Sequence, residues 1–277
     1  MSQRSSYHIR CDMEGVSGVV SMEQVTPGSP TYAETREWFM AELLALVEGL
    51  RSGGADRISI YDEHWSGRNV DIARIPRGVA VFCGKPPYRP EWAGGLDASF
   101  SGMILHGLHS MAGSGELLAH TYEWDIRELH LNGLLVGEIG METAIAGDWG
   151  VPLAMVVADS AGADEARALR PGVVTVATKM SQSPDGAECR PLPDVLEEIR
   201  ASAERLAQDG PTTEPLRISE PVALECRLWP GKYTDALRSV IPAAFVDSER
   251  VVLHGRTATD VWSQYWQHKL EASRRIL

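Results

Sequence analysis

Short apolar runs of strand length alternate with longer amphipathic segments along most of this chain, and that alternation restricts it to α/β layers. Tyr7 to Cys11, Arg57 to Tyr61, Val79 to Cys83, Ser101 to Leu105, Leu153 to Ala158 and Val173 to Ala177 read as strands. Within Thr31 to Leu50, the residues Phe39, Leu43, Leu46, Val47 and Leu50 recur at helical spacing, and Gly53-Gly54 supplies the stop. Arg127 to Val136, turning at Asn132-Gly133, reads as a hairpin. Gly137 to Trp149, with its small residues Gly140, Ala144 and Ala146, predicts a buried helix; Asp164 to Leu169 predicts a short one and Asp194 to Gln208 an amphipathic one. The expected fold class is α/β, a mixed and mostly parallel sheet flanked by helices, with a smaller C-terminal α/β unit.

The boundary of that unit is set by composition. Asp209-Gly210-Pro211-Thr212-Thr213-Glu214-Pro215 is the clearest linker in the chain, which divides it into a larger domain, 1–210, and a subdomain, 211–277. Val222 to Leu228, a helix near Thr234 to Ser239, Arg250 to Leu253 and a helix from Thr259 would build the smaller part. Trp262 and Trp266, four apart on that last helix, are expected to form one packing face, either on the core or between subunits.

Charge and cysteine usage narrow the partners. Against 38 acidic residues stand 26 basic ones, a formal net charge of −12, which argues against the basic stripe that nucleic acid requires. Cys11, Cys83, Cys189 and Cys226 lie far apart with no C-x-x-C pair, which excludes a zinc ribbon and fits a reducing, cytoplasmic setting. Met1 to Tyr7 lacks the apolar core of a signal peptide, and no apolar run approaches the ~20 residues needed to cross a bilayer. The expectation is a soluble chain with neither a membrane nor a nucleic-acid partner.

Three apolar runs end in metal-type side chains: Asp12 and Glu14 after Cys11, Asp62-Glu63-His64 after Tyr61, and His106-Gly107-Leu108-His109 after Leu105. Carboxylates and imidazoles delivered by the ends of different strands are how open α/β sheets build a site. Asp12 and Glu14, two apart, leave the same face of an extended segment, which suits a two-metal centre. Asp62 or Glu63 could orient the His64 imidazole. In an extended segment His106 and His109 point to opposite faces, so one is expected to ligate; His109, further past the strand end, is the choice. Ser110 to Glu116 is small and flexible, as a substrate-contacting loop can be, and lacks a phosphate-loop pattern. Glu138 opens a helix, where the dipole favours a carboxylate, and its apolar neighbours imply burial and hence a partner.

Taken together, Cys-Asp-Met-Glu-Gly-Val-Ser-Gly at 11–18, Asp62-Glu63-His64, Gly107-Leu108-His109, His120 eleven residues later and Val136-Gly137-Glu138-Ile139-Gly140 resemble the D-aminopeptidase family of binuclear zinc peptidases. The resemblance runs from about Ile9 to Pro152 and weakens through Lys179. It implies that Asp12, Glu14, His64, His109 and Glu138 hold two zinc ions with Asp12 as bridge, and that His120 is the catalytic histidine, whether as base, acid or nucleophile. Three carboxylates against two divalent ions leave a site that is still electrophilic. The implied activity is hydrolysis of an amide or peptide bond in a small substrate, and the implied assembly is a ring-shaped homo-oligomer.

Two alternatives stay open: a dinuclear-metal amidase acting on a non-peptide or modified amide, and a non-catalytic metal- or ligand-binding α/β protein. Glu63 and Trp65 flank His64, and Tyr122-Glu123-Trp124-Asp125 follows His120, where the family's bacillus-type enzyme has smaller or polar residues around the former histidine. As pocket walls they would select an aromatic or cationic substrate, or one that is not a D-peptide. The sequence itself assigns no substrate-binding residue.

Overall fold

Residues 5–86, 89 and 92–276 are described by the computed structural model, so most of Met1 to Tyr7 lies outside the described residues. In chain order the elements are β1 (Ser5–Cys11), α1 (Met22–Val25), α2 (Tyr32–Ser52), β2 (Ala55–Asp62), β3 (Val79–Phe82), β4 (Gly102–Leu108), β5 (Ile126–Leu131) and β6 (Leu134–Val136). They continue with α3 (Glu138–Asp148), β7 (Leu153–Ala158), α4 (Ser160–Leu169), β8 (Val174–Ala177), β9 (Lys179–Ser183), β10 (Gly186–Cys189) and α5 (Leu192–Asp209). The chain closes with β11 (Val222–Leu228), α6 (Lys232–Val240), β12 (Arg250–Gly255) and α7 (Ala258–Arg274).

The class is α/β as expected, and its mixed character comes from separate sheets. Six strands in the order β3-β2-β1-β4-β7-β8 pair in parallel throughout. A second sheet, β12-β11-β5-β6, is antiparallel, and β9 with β10 forms a small ribbon. The linker after α5 falls between the sheets in sequence but not in space, because β11 and β12 complete a sheet begun by β5 and β6.

Burial explains the layers. One face of the parallel sheet packs Ile9, Ile60 and Ile104 against Phe39, Leu43 and Leu46 of α2 and Ile199 and Leu206 of α5. The other face sets Met103, Leu105 and Val156 against Ile139 and Ala146 of α3 and Ala166 of α4. The opposite side of α3, through Met141, Ala144 and Ile145, packs on Leu129, Leu224 and Trp262 of the second layer. A helix covered on both sides must be apolar or small all round, which accounts for the residues of Glu138–Gly147 being buried without exception. Among the described residues no helix is long and apolar enough to cross a membrane.

α4 is tied to the loop after β4 by Glu165, whose Oε2 accepts the Met111 N–H at 2.8 Å while Oε1 is buried without a hydrogen bond. Burial pushes its carboxyl from the ordinary 4.5 up to about 7. The folded chain therefore favours the protonated acid: that contribution is complete below pH 4.5 and lost as pH rises through 7. The loss amounts to at most about 3 kcal/mol. Urea titrations of the wild type and Glu165→Gln across that range should diverge with rising pH, the variant losing less stability; parallel profiles would contradict the assignment.

Candidate metal centre

The C-terminal ends of β1, β2 and β4 lie side by side, with Cys11 opposite Asp62 on one side and His106 on the other. Strand order runs one way from β1 through β2 and the other way from β4 through β7, so the crevice here is the switch point where such sheets bind ligands. Backbone bonds fix the three ends together: Glu63 N–H to the Cys11 carbonyl at 3.0 Å, Asp12 N–H to that of His106 at 2.8 Å, and Gly15 N–H to that of Gly107 at 2.7 Å. The approach is too close for side chains. A Cβ on Gly15 would lie 1.8 Å from the Leu108 oxygen, and one on Gly107, itself at φ +76°, would lie 2.0 Å from the Asp12 oxygen.

That glycine also decides between the two histidines. The β4–β7 register shifts between His106 and Leu108, so the strand is not simply extended to its end. His106 turns beneath α2, its Nε2 3.1 Å from Glu42 Oε2, and takes no part in the site. His109 enters the crevice, as expected, although a local break in the strand rather than regular alternation separates the pair.

Six side chains singled out from sequence meet there, all nearly or fully buried. His64 Nδ1 lies 2.7 Å from Asp12 Oδ1 and 3.2 Å from Glu14 Oε2. His109 Nε2 lies 3.4 Å from Asp12 Oδ2 and 3.3 Å from Glu138 Oε1, so Asp12 stands between the two imidazoles with one oxygen toward each. His120 stacks flat on His109 at 4.1 Å and 6°, with its Nε2 3.9 Å from Glu138 Oε1. Two overlapping sets, Asp12-Glu14-His109 and His109-His120-Glu138, each bring one ligand atom per residue within 4.8 Å of the others.

Proton bookkeeping tests whether this set fits a cation. Each histidine places one ring nitrogen on a backbone carbonyl: His64 Nε2 on Val25 at 2.7 Å, His109 Nδ1 on Ser110 at 3.0 Å and His120 Nδ1 on Leu118 at 2.9 Å. Carbonyls only accept, so those nitrogens donate, and a neutral ring turns a lone pair toward the carboxylates. Glu14 Oε2 and His109 Nε2 are buried with no hydrogen bond at all. Facing lone pairs demand either an added proton or a cation. Burial alone lowers the His64 and His109 pKa values, yet Glu14 and Asp12 hold the first imidazole, and Glu138 and Asp12 the second, well above the ordinary range. Burial likewise opposes ionisation of Asp12, but the two imidazoles keep its carboxyl well below the usual range. This chemistry fits divalent ions.

Several supports carry no sequence signature. His64 is held by the Val25 carbonyl of one-turn α1, not by Asp62, which instead accepts from the Asn69 and Val70 backbone and closes the loop around His64. Glu138 Oε1 accepts the Tyr122 N–H at 2.6 Å. Lys179, fully buried, donates to the carbonyls of Glu14 and Val16 at 2.7 Å each, and Thr178 Oγ1 to that of Gly15 at 2.6 Å. A buried lysine spanning two carbonyls of one loop fixes the Glu14 backbone, at the cost of a pKa that burial lowers to about 8.

The cluster lines part of a cavity of about 420 Å³ whose lining also includes Glu63, Trp65, Tyr122, Glu123 and Trp124 of the expected walls, while Asp125 lies outside it and pairs with Lys269. His120 and Trp124, stacked at 4.8 Å and 18°, separate it from a second cavity of about 260 Å³, which Ala112 and Gly113 of the small-residue loop help to line. Trp262 and Trp266 do share a packing face on the core, and both also border the larger cavity.

Comparison with known proteins bears on the family and the fold. The D-aminopeptidase of Bacillus subtilis (strain 168) is 28% identical over 184 residues, covering 66% of this chain and 66% of that protein, just under two thirds of its length. The fold superposes with a TM-score of 0.90 and 21% identity, over 97% of this chain and 98% of the other, on a structure described as the Zn-dependent D-aminopeptidase DppA from Bacillus subtilis, a self-compartmentalizing protease. The sequence model of peptidase family M55, D-aminopeptidase, matches residues 7–266, and with nearly its whole length so matched the chain belongs to that family.

Proposed function

We propose that this chain is a metal-dependent peptidase that releases an N-terminal D-residue from short peptides or amides. In this reading Asp12, Glu14, His64, His109 and Glu138 would hold two zinc ions, and His120 is the catalytic histidine. The observation that carries it is the convergence of three buried carboxylates on imidazole nitrogens whose other ring nitrogens are committed to backbone carbonyls, with Glu14 Oε2 and His109 Nε2 left without a hydrogen bond. Bound there, divalent ions supply polarisation of the scissile carbonyl and acidify water.

The chain's residues do the rest. His120 commits its Nδ1–H to the Leu118 carbonyl, so Nε2 is the atom that takes a proton from the attacking water and returns it to the leaving amine. His109 and Trp124, stacked on its two faces, fix the plane of the ring. Glu138, 3.9 Å from Nε2, stabilises the imidazolium that forms. The Tyr122 N–H holds that carboxylate in place, and Trp124 limits the access of bulk water from the side of the smaller cavity.

A second reading, an amidase acting on a modified or non-peptide amide through the same centre, is favoured by the aromatic lining of the cavity. A panel of D- and L-aminoacyl amides beside aryl amides separates the two, D-selectivity supporting the peptidase. The same proposal includes a homo-oligomer that encloses its sites in a ring, supported by the description of the structural relative, and a reducing cytoplasmic setting, supported by four free cysteines.

Three outcomes follow from these roles. Chelation should abolish hydrolysis and lower the Tm, and zinc should restore both, because removal of the cations leaves three carboxylates facing one another; an unchanged Tm and full activity in chelator would refute the site. His120→Ala should lower kcat by at least about 100-fold with metal content near that of the wild type, measured by steady-state kinetics beside elemental analysis. Light scattering should give a mass several times the 30.3 kDa of one chain; a monomer would rule out the assembly.

A further inference from the structure

The cavity beside the cluster is larger and more aromatic than removal of a small residue requires. Its volume of about 420 Å³ falls within the ~300–1,000 Å³ of small-molecule sites. Away from the carboxylates its walls are Trp65, Tyr122, Trp124, Trp262 and Trp266. Tyr122 lies 4.6 Å from Trp262 and meets Trp266 edge-on at 6.4 Å, while Trp262 and Trp266 cross at 5.5 Å and 80°. These ring contacts hold one another in place before any ligand arrives.

Two of the walls stand on unfavourable backbone. Trp65 has φ +49° and Tyr122 φ +56°, the left-handed region that disfavours a bulky side chain. The fold recovers little of this from Trp65, whose ring is 57% exposed. Trp124 is 60% exposed although it stacks on His120. Trp65 meets the His64 ring edge-on at 6.5 Å and is otherwise exposed on strained backbone beside the cavity, and such strain gathers where ligands are gripped.

The charged groups on the walls are engaged with one another, and the rings are what remains to meet a side chain. Glu63 and Glu142, which both line the cavity, are ion-paired with the buried Arg10 guanidinium, and the Tyr122 hydroxyl donates to Glu142 Oε1 at 2.6 Å. Glu123 and Lys85 line it with opposite charges. Counted with Arg10, these groups leave one net negative charge tied up in ion pairs at the wall, while the rings offer an apolar group a box.

We propose that the residue preceding the scissile bond in the preferred substrate carries an aromatic or large apolar side chain, gripped by this box with Trp65 as a specificity-determining wall. The proposal rests on the aminopeptidase reading above. An alanyl side chain would leave most of the cavity filled with water, whereas a benzyl group would displace it onto apolar surface.

The test uses zinc-loaded protein and two paired readouts: kcat/KM for D-phenylalanine against D-alanine p-nitroanilide, and Kd by calorimetry for D-phenylalanine against D-alanine hydroxamate. The phenylalanyl member should be favoured at least about tenfold in each pair. Trp65→Gly should cut both ratios several-fold, and because φ +49° suits glycine, the variant is expected to fold. Equal or reversed preference in the wild type, or ratios unmoved by Trp65→Gly, would overturn the inference. Absence of hydrolysis on every substrate would instead count against the peptidase reading, while the hydroxamate Kd ratios would still decide this one.

Discussion

Three carboxylates, Asp12, Glu14 and Glu138, come from two distant stretches of chain and are buried around the same imidazoles. Two unit charges 4 Å apart repel by about 4 kcal/mol at an effective dielectric of 20, so such a set is tolerable only with positive charge among them. Protons on His64 and His109 can supply it, and so can cations. The surrounding structure is arranged to bear this load. The dipole of α3 points its positive end at Glu138, Lys179 fixes the backbone of Glu14, and the three histidines are each anchored to a carbonyl so that the charge cannot be relieved by turning a ring.

A second buried charge connects this centre to the outer layer. Arg10, in the middle strand of the parallel sheet and fully buried, pairs with Glu142 of α3 and with Glu63, donates to the Ala93 carbonyl and lies 5.7 Å from the Tyr61 ring. Removing one partner of such a group leaves an uncompensated buried ion, so β1, α3 and the β2 loop are coupled more tightly than their apolar contacts alone would make them. The same pairings set one guanidinium against two of the carboxylates on the cavity wall. One arginine thus serves both the packing of α3 and the polarity of the pocket.

The strands of the parallel sheet and α2, α3 and α5 were legible because their periodicity is local, and the Asn132-Gly133 turn because its chemistry is. Partner choice was not legible. Nothing in Val222–Leu228 indicates that its alternating buried face will meet Ile126–Leu131 across ninety-odd residues, so the second sheet was read as belonging to the C-terminal segment alone. One-turn α1 and the β9–β10 ribbon are too short to leave a periodic trace. In the site, side chains bearing the chemistry could be named because five short motifs together resemble one family; a carboxylate or imidazole past a single strand end is too common to stand out. The groups that orient them are carbonyls of Val25, Ser110 and Leu118, and every residue has a carbonyl.

The division of labour within the site follows from where each part is anchored. Most of the metal-type side chains sit at or just beyond strand ends, locked by backbone bonds so close that Gly15 and Gly107 admit no Cβ. The walls instead come from left-handed turns at Trp65 and Tyr122 and from α7, elements whose side chains can change without disturbing those bonds. A fold can therefore keep its chemistry and alter its selectivity separately, which is compatible with a TM-score of 0.90 at only 21% identity. It also means that residues 211–277 cannot be an optional appendage. They supply two strands of the antiparallel sheet, the Trp262 and Trp266 wall, and the cover over the outer face of α3. Without that cover Met141, Ala144 and Ile145 would face water, and the helix that carries Glu138 into the cluster would lose the packing that holds it there.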